Sequence, residues 1–153
     1  VPDIDHVYRK FGEVSEAAQL LETELGTMLF EASSLEAGLI ESPNVARASS
    51  LLKFINRQTL GALVKTLNRS TDTLDHLESV LTRALTERNR LSHSFYRQHN
   101  FRRNSEEGRS LMIKDLESIH ATLLDAYKSV LLLSGVDIDK ASIDPLPTDH
   151  LPL

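Results

Sequence analysis

Seven arginines, at positions 83, 88, 90, 97, 102, 103 and 109, fall between Arg83 and Arg109 with no lysine and only three acids, Glu87, Glu106 and Glu107. The segment is therefore locally basic, although the 153-residue chain carries a formal charge of −5. Arginine rather than lysine suits planar, two-point recognition of phosphate, and Phe95, Tyr96 and Phe101 offer flat faces on which bases can stack. Residue types and spacing thus point to a cradle for an anionic, RNA-sized ligand. The competing reading is structural, with these arginines pairing with carboxylates at helical spacing.

Position 88 sharpens the choice. Apolar residues at Leu74, Leu77, Leu81, Ala84, Leu91 and Phe95 define one face of a third main helix opened by Ser70 or Thr71. At about 100° per residue, Arg88 falls in the middle of that face. An unpaired guanidinium there costs several kcal/mol, roughly, so it requires an anion, a carboxylate or a water-lined cavity. Glu22 or Glu24 of the first helix is the structural partner to expect. On the same wheel Asn89, His93 and Tyr96 form a polar strip beside the apolar face, with Asn89 and His93 one turn apart.

The elements that must position these groups are helical. Val7, Phe11, Val14, Ala18, Leu21, Leu25, Met28, Ala32, Leu35 and Leu39 recur in alternating steps of four and three, which predicts one long helix. Pro43 stops it, and Asn44 caps a shorter helix through Val45, Ala48, Leu52 and Ile55. A brief amphipathic stretch follows Thr59. Residues 100–108 have no period and read as a basic, mobile loop. A last long helix runs through Met112, Leu116, Ile119, Leu123, Ala126, Val130 and Leu133, with Gly135 as its stop. The expectation is all-α: an antiparallel four- to five-helix bundle over residues 1–135, with 136–153 as an acidic, proline-containing tail.

Composition excludes several classes. There are no cysteines, so disulfides, thiolate metal sites and cysteine nucleophiles are absent. No apolar run approaches about 18 residues and no signal-like leader opens the chain, so the expected setting is cytoplasmic, without a membrane partner. Glu117 and His120 have a di-iron spacing but no second copy and lie off the apolar face, so neither metal nor cofactor is expected. Phosphate-binding glycine loops and serine-hydrolase elbows are missing.

The run Glu87-Arg88-Asn89-Arg90-Leu91-Ser92-His93-Ser94-Phe95-Tyr96 resembles the Arg-x4-His signature of HEPN domains, including the Asn that often follows the Arg. The tight likeness covers about ten residues; a looser one, in helix order, covers roughly 7–135. The resemblance implies a two-fold homodimer with two motifs facing each other across a cleft. It implies a metal-independent endoribonuclease of a kind often found as the toxin of a toxin–antitoxin pair, with an antitoxin or nucleotidyltransferase-type partner. On that reading Arg88 holds the scissile phosphate, His93 is the general acid/base and Asn89 orients one of them. Tyr96, Arg90, Arg97, Arg102 and Arg103 are the expected RNA contacts. Some family toxins carry a nucleotidylated Tyr two residues after the His; here that place is Phe95, a departure that removes the acceptor hydroxyl from that position. The alternative is a non-catalytic HEPN-like module that binds nucleotide, RNA or a regulatory protein.

Overall fold

Asp3 starts the first helix. Its carboxylate accepts the His6 amide proton at 2.8 Å, satisfying one of the free amides of helix α1, Ile4–Glu36. The computed structural model describes residues 1–59, 61–65, 75–141 and 148–149, and among these there is no strand. Helix α2 spans Val45–Asn56, α3 Asp75–His93, α4 Phe95–His99 and α5 Glu106–Leu133, with a helical run at 61–65 and a 3-10 turn over Asn100–Asn104.

The expected stripes of α1 and α5 form the core as far as Leu25 and Val130, whereas Leu35 and Leu133, placed in the same stripes by their spacing, are exposed. Val7, Val14, Leu21, Leu25, Met112, Leu116, Ile119, Leu123 and Val130 are all essentially inaccessible. Their direction differs from a wholly antiparallel bundle. Arg109 bonds to the Pro2 carbonyl, Lys10 to His120 and Ser134 to Glu24, so residue numbers rise together along α1 and α5 and these helices run parallel. Helix α3 runs against both: Arg88 meets Glu22 while Phe95, just past its end, meets Phe11, and Arg90 meets Asp115 while the earlier Arg83 borders one hollow with Thr122. An up-down-up order follows from the chain passing through α3 between the two. Helix α5 packs closely on both neighbours, while α1 and α3 touch sparingly and leave a seam between them.

Several boundaries depart from the periodicity. Helix α1 ends at Glu36, three residues short of the stripe, and Gly38 turns the chain with φ 65°. Helix α2 buries Ile55 and leaves Val45, Leu52 and Phe54 exposed, so its expected apolar face is only partly used. The third helix breaks at Ser94 (φ −140°) rather than continuing through Phe95. The 100–108 segment is not an open loop. It is the 3-10 turn followed by Ser105, whose hydroxyl caps α5 by accepting the Gly108 amide at 3.0 Å. Helix α5 closes as expected, with Gly135 at φ 82° and the Val136 amide on the Leu131 carbonyl. The start of the tail returns to α5 through Lys128–Asp139 at 3.0 Å. Ser70, Thr71 and Leu74, and the tail's prolines, lie outside the described residues.

Asn44 is the α2 cap anticipated from sequence, its side chain accepting the Arg47 amide at 3.0 Å. Asn44→Ala should cost about 1 kcal/mol, seen as a lower urea midpoint with unchanged slope. A variant as stable as the parent would show that α2 draws its order from elsewhere.

Candidate functional site

The seam between α1 and α3 holds the anomalous arginine. Arg88 reaches across it from α3, with Nε and Nη2 each 2.8 Å from Glu22 Oε1 and Nη1 3.3 Å from Asn89 Oδ1. The pair is about three-quarters buried, so Glu22 offsets the cost of taking the guanidinium partly out of water. Of the two carboxylates considered, Glu22 lies on the seam; Glu24 turns to Ser134. The seam opens into a cleft of about 350 Å³, bordered by Phe11, Ser15, Gln19 and Glu22 from α1 and by Arg88, Leu91 and Ser92 from α3.

Asn89 and His93 are exposed on α3, and the His93 side chain makes no hydrogen bond among the described residues. Five positions separate Arg88 from His93, about 140° of helix, so the two side chains leave α3 in different directions. Tyr96 does not join their strip. It faces α1 instead, its ring 5.1 Å from Phe11, 5.2 Å from Phe95 and 6.4 Å from Tyr8. Burial, then the Tyr8 hydroxyl, raise the Tyr96 pKa against the opposing pull of Arg103.

The other arginines divide sharply. Arg90 is consumed internally: both Nη atoms lie 2.7 Å from Asp115, and Glu87 accepts from Nε and Nη2. The Asp115 hydrogen bonds hold Arg90 well above its ordinary pKa, and that guanidinium in turn holds Asp115 below its own. Arg102 donates to His99 Nδ1 at 3.1 Å. Arg103 donates to the Tyr8 hydroxyl and lies 6.0 Å from that ring's centre. Arg109 ties Pro2 O to Arg103 O. Arg97 is exposed and unpartnered among the described residues.

His99 was not anticipated. It is 4% exposed, its Nε2 lies 2.7 Å from Asp115 Oδ2, and its ring packs 4.5 Å from Phe95. Arginine only donates, so Nδ1 accepts from Arg102 and Nε2 carries the proton toward Asp115. The spacing Leu91, Phe95, His99 continues the apolar stripe and was the available signal. His120, of the Glu-x-x-His run, instead faces Lys10 Nζ at 3.2 Å; burial, then Lys10, lower its pKa. Among the described residues no cluster of three or more potential metal ligands occurs, and no helix is long and apolar enough to cross a membrane. Comparison with protein-family models, with curated proteins and with solved structures finds no match for the chain.

Proposed function

We propose that this chain is a HEPN-like helical bundle that pairs about a two-fold axis and cleaves RNA without a metal. The observation that carries the reading is Arg88, pinned by Glu22 at the edge of an open seam while Asn89 and His93 stand exposed on the same helix. A guanidinium fixed in this way meets a phosphate without reorganising, which favours charge developing on the scissile group. His93 removes the 2′-OH proton or returns one to the leaving oxygen. The 2′-oxygen bonds to phosphorus as the bond to the 5′-oxygen breaks, leaving a 2′,3′-cyclic phosphate and a 5′-hydroxyl. The divergent directions of Arg88 and His93 fit a cleft completed by a second copy. A toxin role with an antitoxin partner belongs to the same proposal.

A second reading, a non-catalytic module for RNA or a regulatory protein, is favoured by the partners already present: Glu22 on Arg88, Asp115 and Glu87 on Arg90, and His99 on Arg102. Mixed RNA incubated with the full chain in excess chelator separates the two. Cleavage that falls at least tenfold, about 1.4 kcal/mol, in both Arg88→Ala and His93→Ala supports the nuclease. Absence of cleavage by the parent, or cleavage indifferent to both changes, overturns it. Sizing of the same samples must show a dimer.

A further inference from the structure

Along α1, residues 8, 11, 15, 19 and 22 form one stripe at helical spacing, and it runs without interruption from the Arg88 cleft to Tyr8. The cleft end is bordered by Glu22, Gln19, Ser15 and Phe11; beyond Phe11 lie the rings of Tyr96 and Tyr8, 38% and 44% exposed. Arg103 stands at the far end. Its side chain is fixed by the Tyr8 hydroxyl and its carbonyl by Arg109 Nη1 at 3.1 Å. Arg88 and Arg90 both have carboxylate partners, whereas among the described residues none pairs with Arg103. A held guanidinium without a counter-ion, beside two half-open aromatic rings, is complementary to phosphate and base together.

We propose that Tyr8, Tyr96 and Arg103 form a subsite for single-stranded RNA, a base stacking on the tyrosine rings while Arg103 meets a backbone phosphate. The subsite rests on the RNA reading above and extends it. Residue 8 lies about 21 Å along α1 from residue 22, so the bound strand reaches a few nucleotides from the phosphate at Arg88. A duplex is a poor fit, because its paired bases cannot present a free face to the rings. An acidic peptide would satisfy Arg103 and leave the rings unused.

The test is fluorescence polarisation with a single-stranded 2′-O-methyl oligonucleotide of roughly ten residues, which offers base faces and phosphates but no free 2′-hydroxyl. Arg103→Gln should weaken binding about fivefold and reduce the salt slope by about one. Tyr96→Leu should weaken it by about fivefold or more, the value of one lost stack. Tyr8→Phe keeps the ring and frees Arg103, so its loss should be smaller than that of Arg103→Gln. Thermal melts of each variant confirm that the fold is intact, and a duplex and a polyglutamate peptide serve as competitors.

Variants that bind like the parent, or a parent that does not bind, overturn the subsite, as does displacement by polyglutamate as readily as by single strand. If Arg88→Ala loses binding while Arg103→Gln does not, the subsite falls and the cleft reading survives. If Arg103 and Tyr96 matter for binding but no RNA is cut, the subsite stands and the nuclease falls.

Discussion

Gly108→Ala is expected to destabilise the fold by about 3 kcal/mol or more, a fall in melting temperature of about 6–12 °C for a chain of this size. Gly108 is buried in the first turn of α5, where alanine would ordinarily gain about 1 kcal/mol of helix propensity. Space decides the opposite sign. A Cβ at this position would lie 2.1 Å from the Arg102 carbonyl oxygen and 2.6 Å from the Arg102 Cα. These are backbone atoms of the 3-10 turn, which no change of side-chain rotamer can move aside. Relief therefore requires shifting Asn100–Asn104 off α5, and with it the Arg102–His99 and Arg103–Tyr8 contacts. Urea unfolding of parent and variant measures the effect. An unchanged or raised midpoint would mean that the turn does not press on α5, and would also remove the structural basis for a fixed Arg103.

That contact shows where sequence was informative and where it was not. The stripes of α1 and α5 were readable because burial repeats at the helical period from Val7 to Leu25 and from Met112 to Val130, and their deepest positions are those the spacing selects. Arg88 was readable as an anomaly, and the nearby first-helix carboxylates were the evident structural partners; only three-dimensional register selects Glu22 over Glu24. The 100–108 segment misleads because its polar residues have no periodic face. They are ordered by tertiary partners instead: a buried histidine, a tyrosine hydroxyl and the absent side chain of Gly108. The break at Ser94 is equally silent, because Leu91, Phe95 and His99 remain in step across it. In α2 the pattern overstates burial, since periodicity records a potential face and not a neighbour to cover it. Helix direction is no more legible: parallel α1 and α5 arise from the intervening chain, and their stripes would look the same if the two ran opposite ways.

Asp115→Asn is expected to cost about 2–3 kcal/mol at neutral pH, somewhat below the loss for a fully buried pair because a quarter of the Asp115 and Arg90 side chains remains exposed. Asp115 joins three elements, taking two hydrogen bonds from Arg90 of α3 and one from His99 of α4 while itself standing on α5. All three incoming groups are donors. An asparagine amide has one oxygen to accept with and turns an N–H toward either Arg90 or His99, creating a donor–donor conflict and leaving Arg90 with Glu87 as its one carboxylate among the described residues. The pH dependence identifies the cause. Arg90's hydrogen bonds, helped by His99 and opposed by burial, hold the folded Asp115 carboxyl below its ordinary value of 3.8. A depressed carboxyl contributes its stability fully above the unfolded value and loses it as pH falls through the folded one. The stability gap between parent and Asp115→Asn should therefore be constant above about pH 5 and narrow steadily in acid, as the parent's carboxyl takes up its proton. Urea midpoints collected from pH 7 downward give the gap directly. A gap that stays fixed to the lowest pH at which both proteins fold would assign the loss to altered packing, and would deny that the Asp115 charge holds α4 and the 3-10 turn in place.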